Sequence, residues 1–230
     1  MYQLFIANKN YSSWSLRPWL LMRELGIPFE EVLLPFGMEA AWAPFRAISP
    51  AGRVPCLRDG DTVVWDSMGI TEHLAERHAG VWPSEPTARS WARCASAEMH
   101  SGFSALRSVA SMSVGIRVTL HERPAAFERD LDRMSALWLD GLTRFGGPFL
   151  AGPAFSAVDA FFAPVAFRMQ TTGLSLGAAA DAYAARSRAL PGMVDWYTAG
   201  LAERWRDPSH DAEIGLVGAV TLDLRAVEGD

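Results

Sequence analysis

The amino-acid sequence predicts an α/β domain followed by an all-α domain. Three observations carry this expectation. The first 80 residues alternate between strand-like and helix-like pieces, a proline-rich break follows at 81–86, and beyond it apolar residues recur at helical spacing with no strand alternation until near the C-terminus.

The elements follow in order. Tyr2 to Ala7 is a short apolar run suited to a buried strand. Ser13 to Leu25 places Leu16, Trp19, Leu20 and Leu25 at helical spacing, and Gly26 is the expected stop. Phe29 to Leu34 reads as a second strand and Glu39 to Ile48 as a short helix ended by Ser49-Pro50. Val54 to Leu57 and Thr62 to Trp65, joined by Arg58-Asp59-Gly60-Asp61, give the clearest hairpin signal in the chain. Ser67 to His78 is then a helix with Met68, Ile70 and Leu74 inward. A strand–helix–strand unit implies a parallel pair and the hairpin an antiparallel one, so the sheet is small and mixed, with four strands.

The boundaries read 1–80 for the α/β domain, 81–86 for the linker and 87–230 for the helical domain. Within the latter, helices are expected over Thr87 to Gly115, Ala125 to Phe145, Ser156 to Thr172, Ala178 to Leu190 and Gly192 to Arg204, and the tail after Asp207 is left open between structured and irregular.

Composition excludes several functions. The formal net charge of −5 and pI near 5.6 argue against nucleic acid or an anionic membrane as partner, since both attract cationic surfaces. Lys9 is the only lysine, which leaves little room for Schiff-base chemistry. Cys56 and Cys94 form neither a CxxC pair nor a metal-ligand cluster, and the five histidines show no ligand spacing, so no metal is expected. Sparse cysteine, no secretory signal and no apolar run of membrane-spanning length point to the cytoplasm.

Four motifs then fall in order along the chain. Asn10-Tyr11-Ser12-Ser13-Trp14-Ser15-Leu16-Arg17 sits where the first strand turns into the first helix. Ser49-Pro50-Ala51-Gly52-Arg53-Val54-Pro55 leads into the hairpin, Asp66-Ser67 opens the third helix, and Gly152-Pro153-Ala154-Phe155-Ser156-Ala157-Val158-Asp159 opens a helix of the second domain. Together they resemble the cytosolic glutathione transferases of the serine type, with a zeta- or tau-like spacing of five residues from Ser12 to Arg17.

The resemblance implies a thioredoxin-like first domain, a helical-bundle second domain and a homodimer. Ser12 would activate the thiol of glutathione, with Ser13 the alternative because the doublet leaves the register open by one, and Ser15 a more distant fallback. Arg53, Val54, Asp66 and Ser67 would bind the peptide, Val54 through a backbone turned outward by a cis bond to Pro55. Ser156 and Asp159 would form a structural capping box. The partner substrate would be a small hydrophobic electrophile. Met99, His100, Phe103 and Leu106 lie where a helix should face the cleft, but aromatic and methionine stripes at helical spacing are more often core than pocket, and the core reading is the expected one. Trp14 stands where the zeta class has a cysteine, which argues against the maleylacetoacetate isomerisation of that class. Isomerase, peroxidase or dehalogenase chemistry on the same site, and a non-catalytic interaction module, are the other readings.

Each residue also has a plainer reading. Ser12 serves equally as an N-cap, Pro55 as an edge-strand proline, Asp66-Ser67 as a helix cap, Arg53 as a solvated loop residue and Cys56 as strand core.

Overall fold

The computed structural model describes residues 1–36 and 42–226. In the first domain, β1 (Tyr2–Ile6), β2 (Phe29–Leu33), β3 (Cys56–Asp59) and β4 (Thr62–Val64) form one sheet of order β2-β1-β3-β4. β1 runs parallel to β2 with Tyr2 opposite Phe29 and antiparallel to β3 with Leu4 opposite Leu57, so the sheet is mixed, as expected. β1 sits at its centre, where Leu4 and Ile6 are fully buried. Helices α1 (Ser13–Glu24), α2 (Trp42–Ile48) and α3 (Ser67–Ala75) complete this domain. The expected start of α2 at Glu39 lies outside the described residues. Gly26 takes a left-handed φ of 64° just beyond α1, the conformation glycine adopts without a Cβ penalty.

The segment 81–86 is packed rather than loose. Val81 and Trp82 are buried, the Ala157 amide donates to the Val81 carbonyl at 2.8 Å, and Trp82 Nε1 donates to Glu72 at 3.1 Å. Glu85 then caps α4 (Pro86–Ser101) by accepting the Thr87 and Ala88 amides.

The second domain adds α5 (Ser104–Val109), α6 (Ala125–Phe145), α7 (Ala157–Thr172), α8 (Ala178–Arg188), α9 (Pro191–Ala202) and α10 (Pro208–Val217). α7 is its axis: it is buried on all sides and packs on α1, α4 and α8. Its two charged residues, Asp159 and Arg168, therefore need internal partners. α1 joins the domains by packing on α7 and α9, with Trp19 edge-on to Trp196 at 5.1 Å, and a single apolar core runs through both.

Two expectations are corrected. The long helix over Thr87 to Gly115 is broken into α4 and α5 at Gly102-Phe103. A Cβ on Gly102 would lie 2.9 Å from the Glu98 carbonyl oxygen, and Phe103 takes a left-handed φ of 55°. The region 87–230 is helical but not all-helical, because β5 (Ile116–Leu120) pairs antiparallel with β6 (Gly218–Asp223). The segment after Asp207, which the sequence leaves open, forms α10 and β6 within the described residues.

Candidate functional site

The turn from β1 into α1 is held from both sides. Glu203, at the end of α9, accepts the Lys9 amide at 2.6 Å and the Asn10 amide at 3.2 Å. Trp196 Nε1 donates to the Lys9 carbonyl at 2.8 Å, and Asn8 Oδ1 accepts the Phe36 amide at 2.6 Å. Backbone groups that a loop would otherwise leave unpaired are thus satisfied across the domain boundary. Burial pushes the Glu203 carboxyl above the usual carboxylate range, against the pull of those amides.

Ser12 follows as the N-cap of α1, and no acidic side chain in the first turn neutralises the positive end of the helix. Its hydroxyl shares a 2.7 Å hydrogen bond with that of Ser15, whose oxygen also accepts the Ala7 amide at 3.2 Å. Ser13, half-buried, accepts at Oγ from Arg168 Nη2 at 3.3 Å. The Val54–Pro55 peptide is cis, and Val54 makes no backbone hydrogen bond among the described residues.

Ser12, Ser13, Arg53 and Val54 line a single cavity of about 550 Å³ between the domains. Asp66 and Ser67 are not among its lining residues. Asp66 caps α3 by accepting the Met68 amide at 2.9 Å and stands 3.3 Å from His100 Nε2. Ser67 is fully buried, with an Oγ that has no hydrogen-bond partner among the described residues. A second cavity of about 380 Å³, beside β5 and the end of α7, contains none of the expected residues.

Met99, Phe103 and Leu106 are core residues, as their helical spacing suggests, and neither they nor His100 border the cavity. His100 packs edge-on to Trp14 at 5.2 Å, and burial lowers its pKa. Cys56 is buried in β3, where burial raises its thiol pKa, the behaviour of a core residue. Asp159 closes the capping box by accepting the Ser156 amide at 3.0 Å, while the Ser156 hydroxyl approaches the Asp159 amide without a well-formed bond.

Other lining residues were not singled out in the sequence. Arg107 (α5) and Arg168 (α7) come from one side, and His210 (α10) from another, stacked on Tyr11 at 5.1 Å and on Phe36 at 5.3 Å. Tyr11 donates to Asp211 at 3.0 Å and accepts from Arg225 at 2.9 Å, and burial pushes its phenol up to about 12. Behind Trp14, Arg17 is wholly buried, its guanidinium 4.2 Å from the Trp14 ring and 4.9 Å from that of Phe161. Burial and the neighbouring Arg107 and Arg168 hold its pKa well below that of a free guanidinium.

Among the described residues, no group of three or more His, Cys, Asp or Glu is placed to hold a metal ion, and no helix is long and apolar enough to cross a membrane. The cavity offers hydroxyls at a helix N-terminus, an unpaired stretch of backbone and a set of guanidiniums, which together suit a peptide bearing a nucleophilic anion.

Comparison with known proteins gives a consistent picture. The family profile "Glutathione S-transferase, N-terminal domain" matches residues 11–77, and "Glutathione S-transferase, C-terminal domain" matches residues 119–199. Glutathione S-transferase GstB of Escherichia coli K12 is 27% identical over 173 residues, 68% of this chain and 78% of that protein. A stringent starvation protein A homolog of Pasteurella multocida is 28% identical over 174 residues, 73% of this chain and 77% of that protein. The crystal structure of a glutathione transferase homolog from Burkholderia gl BGR1, with bound glutathione, superposes with a TM-score of 0.65 at 19% identity, covering 86% of this chain and 97% of the other. That match shows the fold.

Proposed function

The chain belongs to the glutathione S-transferase family, and on that premise we propose that it is a serine-type glutathione transferase that activates the thiol for attack on an electrophilic acceptor. The observation that carries the reading is the meeting of Ser12 and Ser13, at the N-terminus of α1, with the unpaired Val54 backbone in one cavity. Glutathione lies as an extended peptide against Val54 beside Arg53. Its γ-glutamyl end is directed to the N-terminus of α3 at Ser67, with Asp66 near the ammonium.

The magnitudes suffice. Lowering a thiol pKa by about two units requires roughly 2.7 kcal/mol of preference for the anion. A hydroxyl hydrogen bond to a charged group supplies about 1.5–3 kcal/mol, and a partly buried helix N-terminus up to about 2. In the structure the Ser12 hydroxyl donates to Ser15; reversing that bond, so that the Ser15 hydroxyl donates to Ser12, would turn the Ser12 hydrogen toward sulfur. The thiol proton leaves to solvent and the sulfur lone pair forms a bond to carbon. The displaced group departs with its bonding pair or, in an addition, the π pair moves onto the activating group and is protonated.

Isomerase, peroxidase or dehalogenase chemistry would use the same thiolate. One other reading is a module of the same fold that binds partners without turnover. Homodimerisation and a cytoplasmic setting belong to the proposal as family expectations.

The test is ultraviolet difference absorbance of the thiolate, titrated against pH at saturating glutathione, in wild type and Ser12→Ala. A bound-thiol pKa well below the free value that rises by about 1–2 units in the variant is expected. A rise in Ser13→Ala alone would transfer the role to Ser13. No thiolate signal in wild type would overturn the mechanism.

A further inference from the structure

Three guanidiniums converge on one side of the cavity. Asp130 attracts Arg107 and Asp66 attracts Arg17, but neither carboxylate forms an ion pair with them, and Arg168 has no such neighbour among the described residues. Arg107 and Arg168 line it, and Arg17 lies behind Trp14, with the Arg107 guanidinium 4.9 Å and that of Arg17 4.2 Å from the Trp14 ring. Among the described residues, no carboxylate lies within salt-bridge distance of any of the three. Arg168 is buried and spends Nη1 on the carbonyls of Arg107 and Ala110 and Nη2 on Ser13, leaving Nε without a partner. Arg107 spends Nη2 on the Met99 and His100 carbonyls, and its Nε is likewise unpartnered.

Capping carbonyls does not explain this arrangement, because a neutral amide would do the same without burying charge. A buried cation without a paired anion, such as Arg17 or Arg168, costs several kcal/mol, the half-buried Arg107 less, and such clusters in a cleft mark ligand sites. The acidic lining residues stand on the tail segment, where Asp207 is already held against His210 and Glu213 is exposed.

We propose that Arg107 and Arg168 form an anion subsite for the acceptor, so that the second substrate is an electrophile carrying a carboxylate or comparable singly charged acid group a few bonds from its reacting carbon. The inference rests on the glutathione reading above. Glutathione's own carboxylates are directed to the first domain, at Arg53 and the N-terminus of α3, whereas these arginines project from α5 and α7 of the second. Arg168 touches Ser13, so an acid group held there lies beside the sulfur. Trp14 and Met112 supply the apolar surface for the rest of the molecule.

The test is calorimetric binding of three probes to the full chain: glutathione, S-hexylglutathione, and S-(5-carboxypentyl)glutathione, whose tether is of similar length and ends in an acid. An isolated carboxylate resists leaving water, so without a waiting cation the acid conjugate binds no better than the neutral one. With the subsite, it binds at least about tenfold more tightly than S-hexylglutathione. That ratio collapses toward one in Arg107→Gln and is retained in Arg107→Lys. Arg107 is the residue to change because it is only half-buried, whereas Arg168→Gln threatens folding. Equal binding of the two conjugates while glutathione binds, or a preference that survives Arg107→Gln, would overturn the subsite and leave the glutathione site standing. Failure to bind glutathione at millimolar concentration would overturn both.

Discussion

The hydroxyls of Ser12 and Ser15 stand 2.7 Å apart inside the first turn of α1, and the Ser15 oxygen simultaneously receives the Ala7 amide from the end of β1. Ser15 thereby fixes the orientation of Ser12 against the sheet. Ser15→Ala leaves the Ala7 amide buried and unpaired, which costs about 1–3 kcal/mol of stability. It also frees the Ser12 hydroxyl to rotate, so the bound-thiol pKa rises by about half a unit, less than in Ser12→Ala. Thiolate absorbance and denaturant unfolding of the same variant check the two effects together.

Glu203 is the remote support of the same turn. Glu203→Ala strips the acceptor from the Lys9 and Asn10 amides, both buried, and is expected to cost about 2–5 kcal/mol. Glu203→Gln keeps one oxygen and loses about half as much. Because the turn carries Ser12, glutathione affinity falls along with stability. Chemical denaturation paired with calorimetry tests this, and an unchanged affinity in a destabilised Glu203→Ala would show that the turn holds its shape unaided.

Asp159 gives a pH signature. Its carboxylate accepts from the Leu150 amide, the Ser156 amide and the Tyr183 hydroxyl, each at 3.0 Å, yet burial raises its pKa to about 6 from the ordinary 3.8. A folded-state pKa above the unfolded one contributes stability that is full below about pH 3.8 and is lost as pH rises through about 6. Asp159→Asn removes this titration and sets an amide nitrogen against the Ser156 N–H, at a cost of about 1–3 kcal/mol. The stability gap between wild type and the variant therefore narrows by about 1–2 kcal/mol from pH 5 to pH 7.5. A constant gap in urea titrations across that range would refute the assignment.

The first domain was largely legible because its signals are local. A strand, a helix ended by Gly26 and a hairpin around Asp59-Gly60 each sit within a few residues of their own stop signals. The ribbon was not, although Ile116, Val118 and Leu120 do alternate with Arg117 and Thr119, because the partner strand lies about 100 residues away and leaves no hairpin signature. Gly102 was a readable helix stop, obscured by the apolar spacing that continues past it. The same division holds at the site. Ser12, Ser13, Arg53 and Val54 belong to contiguous motifs, and the structure gathers them into one cavity. Arg107 and Arg168 are separated by 61 positions and meet only through the packing of α5 and α7, although a lone arginine in the apolar stretch Ala160 to Met169 was a visible anomaly.

The tethering of the β1–α1 turn has a consequence for how the protein comes into being on the ribosome. Its anchors are Trp196, Glu203, Asp211 and Arg225, all made close to 190 residues or more after the turn itself. A nascent chain that has completed its sheet still carries Lys9, Asn10 and Tyr11 without their partners. The segment around Ser12 therefore reaches its final shape only after translation has passed residue 225, and partly synthesised chains hold no finished site.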